Sequence, residues 1–412
     1  MRRHTTCVLF CSLVSCSPPL LAQWPQFRGP DGQGHSAERG LPVEWSATRN
    51  VAWKVAVPGR GWSSPVVSDG RVWLTTATTM GRDGSLRLLA FDAASGTQTV
   101  DVEVFRLRSA ELLNSKNSHA SPTPIVEADR VYVHFGAQGT AAVSTSGEII
   151  WKVRHQYESQ HGNGGSPVLY GDLLIFSCDG FDEAFVIALD KRTGKARWRT
   201  ERPEPSSQAY STPLVIRVGE RDLLISVGAF HTVAYDPKSG KEVWHANYPD
   251  GFSNVPRPVY GHGLVFVTTG FQQPAILAIR PDGRGDVTRS HVAWTASRGA
   301  PLTPSPVVVG NELYVVNDAG IASCLDAGSG ALHWQQRLGA SVSASPVFAD
   351  GRIYFLDEEG TTTVILPRTV FQRVATNALD EPALASIAVA NGSFFIRTAS
   401  HLYRISPPAA RL

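Results

Sequence analysis

The sequence is poor in cysteine outside its first residues, and this limits how its fold can be stabilised. Three of the five cysteines, Cys7, Cys11 and Cys16, lie near the start, so only Cys178 and Cys324 remain in the body of the chain. Small exported domains that depend on disulfides carry many more cysteines. Because burial is the usual fate of a lone cysteine, we expect both remaining thiols to be free and buried in strands.

The sequence also lacks any long run of lysine or arginine, and its formal net charge is only +2 over 412 residues. Proteins that bind nucleic acid carry clustered positive charge, so this class is excluded. No His-Glu-x-x-His, Gly-x-Ser-x-Gly, phosphate loop or Cys-x-x-Cys-His haem motif is present. Familiar catalytic and metal-binding motifs are therefore missing, and we predict no metal site from motifs alone.

The first 22 residues have the pattern of an export signal. A positive stretch, Met1–His4, precedes a short apolar run from Cys7 to Val14, which is too short to span a bilayer. Leu13–Cys16 resembles a lipobox and would make Cys16 a lipidated N-terminus, whereas Leu20–Ala22 before Gln23 resembles an ordinary signal-peptidase site. Both predict export to the periplasm or the cell exterior. The first adds a tether to the outer membrane.

A short phrase of a small residue, proline and a β-branched run recurs along the chain. Counted at the proline position, the intervals after the first are 40 to 48 residues, which suits four short strands per unit. The eighth copy lacks the proline. The copies begin at Ser64, Thr123, Ser166, Thr212, Arg257, Ser305, Ser345 and Ser386.

Each unit continues with a hairpin and ends in a second phrase, clearest at residues 188–198. There Asp190 and Thr193 can accept backbone N–H bonds in a turn, and Gly194 permits a positive φ. Trp198 follows four residues later and can lie flat against the next unit, burying about 150–250 Å². The same place is occupied by Trp53, Trp151, Trp244, Trp294 and Trp334.

Four-stranded units repeated around an axis form a β-propeller, whose closure protects most sheet edges. The fold class predicted is therefore all-β, an eight-bladed β-propeller with four-stranded antiparallel blades over residues 50–406. Residues 23–49 would be an N-terminal extension, and 407–412 a tail. The last unit, Ser386–Ile405, has only three strands, and Val51–Val55 is a fourth strand without partners. We predict that this N-terminal strand completes the last blade.

The phrase Ala-x-Asp-x-x-Thr-Gly-x-x-x-Trp resembles the tryptophan-docking motif of PQQ-like (quinoprotein-type) propellers. The opening Trp24–Gly32 resembles that of exported PQQ-like repeat proteins. The resemblance implies one of two activities. Quinoprotein dehydrogenases hold pyrroloquinoline quinone (PQQ) and calcium, whereas BamB-type lipoproteins are non-enzymatic scaffolds of outer-membrane assembly. The phrase is degraded in units one, five and seven, at Val100, at Ile279–Gly283 and near Arg368–Ala375, so these blades are expected to dock less tightly or to have covered edges.

Candidate ligand-binding residues lie in the loops that enter each first strand and in those that join second to third strands. Both sets meet on one face of a propeller, around the axis. Acidic side chains with Asn163 could ligate calcium, and His119 or His231 could accept a proton. Asp and Asn in tight turns also bond to nearby backbone, so a purely structural role is the alternative. The candidates are His119, Asn163, Asp179, Tyr210, His231, Asn254, Arg257, Asp318 and Glu358.

Arg257 is the odd member of its series, since it stands where other units have a small residue. An arginine near the axis suits an anionic ligand or an acidic neighbour. The insertion Phe105–Asn114 has a short helical pattern and could form a partial lid over the axis.

From these features we favour an exported binding or scaffold protein that takes a protein partner or a small ligand in the axial funnel. The alternative is a PQQ-dependent dehydrogenase acting on alcohols or sugars. Quinoprotein alcohol dehydrogenases are generally longer and carry adjacent cysteines over the cofactor, and this sequence has no Cys-Cys pair. The sequence gives no indication of the oligomeric state.

Overall fold

A computed structural model describes residues 23–80, 83–107, 113–249 and 251–407. Within these ranges the chain forms eight sheets arranged as the blades of a propeller, and each contains four antiparallel strands. One sheet has a short fifth strand, and one takes its fourth strand from the N-terminal side of the chain. The predicted eight-bladed, all-β fold is confirmed. One short 3-10 helix, Gly136–Gln138, is the only helical element of the described residues.

The first strand in the chain, β1 (Val51–Ala56), belongs to blade 8, the last blade. Blades 1 to 4 are formed by the strands that follow it in the sequence. Blade 1 contains β2 (Val66–Ser68), β3 (Arg71–Met80), β4 (Asp83–Asp92) and β5 (Gln98–Arg106). Blade 2 contains β6 (Ile125–Glu127), β7 (Arg130–His134), β8 (Thr140–Ser144) and β9 (Ile149–Val153). Blade 3 contains β10 (Val168–Tyr170), β11 (Leu173–Asp179), β12 (Ala184–Asp190) and β13 (Ala196–Glu201). Blade 4 contains β14 (Leu214–Val218), β15 (Arg221–Val227), β16 (His231–Tyr235) and β17 (Glu242–Asn247).

The remaining four blades repeat the pattern with one addition. Blade 5 contains β18 (Val259–Gly261), β19 (Leu264–Thr269), β20 (Ala275–Ile279) and β22 (Val292–Ala296), and its β21 (Gly285–Asp286) pairs in parallel with β17. Blade 6 contains β23 (Val307–Val309), β24 (Glu312–Val316), β25 (Ile321–Asp326) and β26 (Leu332–Arg337). Blade 7 contains β27 (Val347–Ala349), β28 (Arg352–Leu356), β29 (Thr361–Ile365) and β30 (Arg373–Ala378). Blade 8 contains β31 (Ala388–Ala390), β32 (Ser393–Arg397) and β33 (His401–Ile405).

The ring is closed by β1, which pairs antiparallel with β33 and supplies the outer strand of blade 8. Lys54 lies opposite Tyr403 and Val55 opposite Leu402 in this pairing. The prediction that the N-terminal strand completes the last blade is confirmed. Because one blade is built from both ends of the described chain, its hydrogen bonds hold the ring shut.

The small residue of the repeated phrase accepts a hydrogen bond that links neighbouring inner strands at six of the eight junctions between blades. The backbone N–H of Thr123 donates to Ser166 Oγ at 2.9 Å, and that of Ser166 donates to Thr212 Oγ1 at 2.9 Å. The same bond joins Ser64 to Thr123, Arg257 to Ser305, Ser305 to Ser345 and Ser345 to Ser386. A buried N–H must find a partner, and the side-chain hydroxyl supplies it. The small residue therefore recurs because its hydroxyl joins neighbouring blades. We call this row of hydroxyls near the axis the hydroxyl belt.

The tryptophans of the second phrase join neighbouring blades at their outer ends. Trp198 Nε1 donates to the carbonyl of Pro237 at 3.1 Å, and a Cβ built on Gly240 would lie 2.5 Å from the Trp198 ring. Gly240 also has a φ of +71°, so glycine meets both needs at this turn. The other donors and acceptors are Trp53 to Ala93, Trp151 to Lys191, Trp244 to Pro281, Trp294 to Ala327 and Trp334 to Arg368.

Degraded phrases have less effect on docking than the sequence indicates. Blades 5 and 7 still offer a carbonyl to the preceding tryptophan, at Pro281 and Arg368, because a backbone acceptor does not depend on the side chain. Blade 5 also covers the edge of blade 4 with β21. Blade 1, which has Val100 in place of the tryptophan, is joined to blade 2 by Arg71 Nη1, which donates to the carbonyl of Thr145.

The core is distributed between the blades rather than gathered at one centre. Seven clusters of buried apolar residues each join neighbouring sheets, and the largest also includes residues of the N-terminal extension. Cys178 and Cys324 are free and buried in blades 3 and 6, as expected.

Candidate functional site

The axis of the propeller is occupied by the chain itself. Residues 24–36, here called the axial segment, bond to inner strands on opposite sides of the ring. Trp24 exchanges two backbone bonds with Val67 in blade 1, and the N–H of Val126 in blade 2 donates to the carbonyl of Pro25. Further along, the axial segment bonds to Tyr260 in blade 5, Val308 in blade 6 and Phe348 in blade 7. The inner edges of these strands, which would otherwise face the channel unpaired, are thereby satisfied.

Two arginines fix the axial segment, and both are fully buried. Arg28 donates to the carbonyls of Ser305 and Pro306 in blade 6, while Arg257 donates to the carbonyls of Phe27 and Pro213. Burial lowers the pKa of Arg28 to about 9, with the nearby Arg257 charge adding to the effect, and burial lowers that of Arg257 to about 10. Both side chains are therefore charged at neutral pH, and the predicted anion-binding arginine is bound to backbone carbonyls.

Glycine is required where the axial segment passes these arginines. A Cβ on Gly32 would lie 2.5 Å from Arg257 Nη1, and the φ of Gly32 is +69°. A Cβ on Gly34 would lie 2.7 Å from Arg28 Nη2. The opening stretch that resembles PQQ-like repeat proteins is thus the part of the chain that fills the axis.

The loop face, defined as the face carrying the entering loops and the loops between second and third strands, bears the other candidates. Its mouth is crossed by the loop entering blade 2. There Lys116 Nζ forms an ion pair with Glu358 Oε1 of blade 7 at 2.7 Å, and the carbonyl of Ser115 accepts from Arg60. Glu358 also accepts from Ser343 Oγ. Residues 108–112 of the predicted lid lie outside the described residues. In the described part Phe105 lies in β5 and Leu113 bridges to His161, so no helix is present there.

Asp179 is held in a buried ion pair at the loop face. Arg202 Nε and Nη2 donate to its two carboxylate oxygens at 2.7 and 2.9 Å, and both side chains are only 1% exposed. Arg202 also donates to Ser177 Oγ and Ser226 Oγ. Burial raises the pKa of Asp179 and the guanidinium opposes that shift, while the carboxylate raises the pKa of Arg202. Both carboxylate oxygens of Asp179, which the sequence predicted as calcium ligands, therefore accept hydrogen bonds from Arg202 instead.

His231 and Tyr210 are buried beside this ion pair. Burial and the Arg202 charge lower the pKa of His231 to about 3, so its imidazole is neutral at physiological pH and a weak proton acceptor. Its Nε2 has no hydrogen-bond partner among the described residues. Tyr210 donates its hydroxyl to the carbonyl of Gln160 at 2.6 Å, and burial raises its pKa.

Asn254 and Asp318 organise loops. The Asn254 amide donates to the carbonyl of Gly228 and accepts from the N–H of Gly270, which ties blades 4 and 5 together. Asp318 Oδ2 accepts the N–H groups of Leu302 and Thr303 at 2.7 and 3.2 Å. These contacts match the structural alternative described for Asp and Asn in turns.

His119 and Asn163 are half-buried at the loop face. Burial lowers the pKa of His119. Asn163 accepts from and donates to the backbone of Gly165, two residues further on. No group of three or more His, Cys, Asp or Glu side chains in the part of the chain that the structure describes could hold a metal ion. The described residues also contain no helix that is long and apolar enough to cross a membrane.

The loop face also carries exposed aromatic side chains that the sequence analysis did not predict as functional residues. Phe271 is 62% exposed and Phe181 is 54% exposed. The rings of Phe230, Phe252 and Phe271 form a ladder with centroid separations of 6.2 and 5.9 Å across the loops of blades 4 and 5. Sequence reasoning missed them because single phenylalanines in loops have no periodicity. A signal was present in their position, since Phe181, Phe230 and Phe271 all lie in loops between second and third strands.

The fold and the filled axis define an eight-bladed propeller that is closed by its own N-terminal strand and crossed by its own extension. A family model described as outer membrane protein assembly factor BamB matches residues 36–153 and 285–369. Over these ranges, just under half of the chain, the sequence is similar to that family, and the fold is the PQQ-like β-propeller that the repeated motifs predict. The unmatched stretch between those ranges folds into blades of the same kind.

The known proteins that are similar to this chain include BamB and two dehydrogenases. BamB from Moraxella catarrhalis shares the fold, with a TM-score of 0.61, 11% identity, and coverage of 88% of this chain and 98% of that one. The lanthanide-dependent methanol dehydrogenase of Methylorubrum extorquens is 25% identical over 197 residues, which is 40% of this chain and 32% of that protein. The match thus spans about a third of that relative's length. Quinohemoprotein alcohol dehydrogenase from Comamonas testosteroni aligns with a TM-score of 0.46, 12% identity, and coverage of 95% and 82%.

Proposed function

We propose that this chain is an exported scaffold protein that binds a protein partner through the aromatic ladder on its loop face. The observation that carries the proposal is the exposure of Phe271, whose ring lies next to Phe252 in the ladder, together with the exposure of Phe181 in the corresponding loop of blade 3. Aromatic side chains are enriched at the centres of protein interfaces, where each buries a large apolar area. The match to a family described as an outer membrane assembly factor supports the same kind of role.

The backbone beneath the ladder favours a preformed binding surface. Phe230 has a φ of +64° and Ser253 a φ of +56°, and a positive φ is unusual for a bulky residue. Bonds from the N–H of Phe230 to the carbonyl of Gly251, and from the N–H of Tyr248 to the carbonyl of Phe230, hold this turn. Strain maintained by surrounding contacts is typical of binding sites. A ladder held in this way loses little conformational entropy when a partner docks.

Site-specific photo-crosslinking in the producing cell tests the proposal. A photoreactive residue at position 271 should give a discrete crosslinked species, and Phe181→Ser should weaken it. The matched control is position 332, where Leu332 is 42% exposed on the outer strand β26, away from the loop face. Equal crosslinking at both positions, or none at 271 in folded protein, would refute the proposal.

The residues present do not fit a PQQ–calcium site. Calcium requires several free oxygen ligands, yet Asp179 is paired with Arg202, Asp318 with backbone N–H groups, and Glu358 with Lys116. Calorimetric titration of residues 23–412 with PQQ and calcium should therefore give no saturable heat. Saturable binding near micromolar, about 8 kcal/mol, would revive the dehydrogenase alternative and call for an alcohol and sugar screen.

Export and lipid attachment at Cys16 are also part of the proposal, and both concern residues outside those described. Mass spectrometry of the mature protein distinguishes the two processing sites. An acylated peptide beginning at Cys16 would support a tethered scaffold, whereas a mature chain beginning at Gln23 would leave the protein without this anchor.

A further inference from the structure

A charged cleft between the outer strands of blades 1 and 2 lies apart from the loop-face ladder. Its volume is about 630 Å³, and it is lined by residues 103–106 at the end of β5 and by 152–154 at the end of β9. We call it the inter-blade cleft. A volume of this size is in the range of ligand-binding pockets.

Two cations gather on one aromatic ring in this cleft. Lys152 Nζ lies 5.7 Å and Arg154 Cζ lies 5.1 Å from the centroid of the Phe105 ring. Arg154 is held in place by donation to the carbonyls of Gln138 and Arg106, and Lys152 Nζ lies 3.5 Å from the carbonyl of Val104. The ring face attracts cations, but it does not neutralise two of them.

The described residues supply no carboxylate to either cation. The cleft's one acid, Glu103, is bound by Arg106 at 3.0 Å and lies 3.9 Å from Arg87, and no ion pair joins Lys152 or Arg154 to any described residue. Within the described ranges, the positive charge of Lys152 and Arg154 beside this ring thus has no paired carboxylate.

Blade 3 contains the compensated version of this arrangement. Arg199 Cζ lies 3.7 Å from the centroid of the Phe185 ring, and its guanidinium pairs with Glu183 at 2.6 Å and with Glu201 at 2.8 Å. In that blade the chain provides two carboxylates around a cation on an aromatic ring. In the inter-blade cleft the ring and the cations are present, but no carboxylate of the described residues pairs with Lys152 or Arg154.

We propose that the inter-blade cleft binds an extended acidic segment of a partner protein, whose carboxylates pair with Lys152 and Arg154. The two cations are two residues apart at the end of β9, a separation of about 6–7 Å in extended chain. An extended ligand with acidic residues at alternate positions presents carboxylates at the same spacing. Ile150, which is 41% exposed and lies two residues before Lys152 on β9, is on the same face of the strand as the two cations and can contact a further side chain of the ligand on that face. This inference names a partner chemistry and rests on the proposed scaffold function.

Fluorescence anisotropy of the full chain with a labelled peptide, Gly-Ser-Val-Glu-Val-Glu-Val-Ser-Gly, tests the site. The matched peptide has Gln in place of both Glu residues. The acidic peptide should bind more tightly than its Gln counterpart, and its binding should weaken as salt is raised. Lys152→Glu should weaken binding about tenfold, since it replaces attraction by repulsion.

Lys241→Glu is the control, because Lys241 is also exposed, just before an outer strand, and the charge change is identical. Lys152→Gln provides a milder variant if the reversal disturbs folding. Equal affinity for both peptides, no binding, or equal effects of the Lys152 and Lys241 variants would overturn the proposal. Phe271→Ser should leave peptide binding unchanged, so a failure of the cleft is distinguishable from a failure of the loop-face interface.

Discussion

In the hydroxyl belt, a single serine or threonine side chain accepts a backbone hydrogen bond from the neighbouring blade. Ser166 Oγ accepts the backbone N–H of Thr123, and both residues are buried at the start of inner strands. Removing the hydroxyl leaves a buried donor without its partner, which costs about 1–3 kcal/mol. The repeated phrase therefore encodes contacts between blades as well as the strands within them.

Ser166→Ala should accordingly lower the free energy of unfolding by about 1–3 kcal/mol. Ser115→Ala is the control, because Ser115 is exposed and uses only its backbone carbonyl to bind Arg60. Urea denaturation followed by tryptophan fluorescence measures both. If the two variants are equally stable, the belt bonds contribute nothing measurable.

A second residue-scale feature is the carboxylate of Glu381, which joins the closing strand to blade 8. It accepts from Tyr403, His401 and Thr398, and it pairs with Lys54 of β1 at 2.5 Å. Its carboxylate is partly buried, which opposes ionisation, but these donors prevail and lower its pKa to about 2.

The depressed pKa of Glu381 gives a pH-dependent contribution to stability. The contribution is present above the unfolded-state pKa, near 4.5, and is lost as the pH falls towards 2. Glu381→Gln should therefore lower the melting temperature clearly at pH 7 and much less near pH 2. Glu359→Gln, at an exposed glutamate one blade earlier, should show no such dependence. A constant difference across this range would mean that charge at Glu381 is unimportant.

At the scale of elements, the extension supplies a tryptophan that blade 7 lacks. Trp45 is 4% exposed and packs between blades 7 and 8, with centroid distances of 5.3 Å to Phe394 and 6.3 Å to Tyr354. Asn377 of β30 fixes it by accepting the N–H of Trp45 and donating to the carbonyl of Val43. The extension thus places a buried tryptophan between blades 7 and 8, where the seventh unit has no docking tryptophan of its own. Unlike the docking tryptophans, its Nε1 has no hydrogen-bond partner among the described residues.

Trp45→Ala should cost about 3–5 kcal/mol, as expected for a buried tryptophan. Trp334→Ala is the comparison, because Trp334 docks onto blade 7 at a partly exposed site and should cost less. Urea denaturation of the two variants provides the measurement. A smaller loss for Trp45→Ala than for Trp334→Ala would contradict the role assigned to the extension.

Periodicity determines how much of this arrangement could be predicted. The eight blades and the closing strand follow from repeated local patterns, such as Asp190–Trp198, and the sequence predicted all of them. The paths of Trp45 and Arg28 depend on contacts with residues more than 250 positions away, which no local pattern records. The same limit applies to the candidate site, since pairing of Asp179 with Arg202 depends on the tertiary fold.

At the scale of the whole molecule, the axial segment converts a ring with a central channel into a filled one. It bonds to five of the eight inner strands and meets Arg257 from the far side of the ring. The strands it touches have few other partners on their inner edges, so the segment and the ring stabilise each other. Displacing it should loosen the inner edges of several blades at once while leaving the outer strands paired.

Gly32→Ala and Gly40→Ala test this coupling as a matched pair. Both glycines have nearly the same φ, +69° and +70°, so substitution by alanine introduces the same backbone strain at each position. A Cβ at position 32 would lie 2.5 Å from Arg257 Nη1, whereas at position 40 nothing lies within 4 Å. Gly32→Ala should therefore speed hydrogen exchange at the amides of Val67, Val126 and Phe348, in three separate blades, and Gly40→Ala should not. Equal protection in the two variants would mean that the axial segment does not hold the inner strands together.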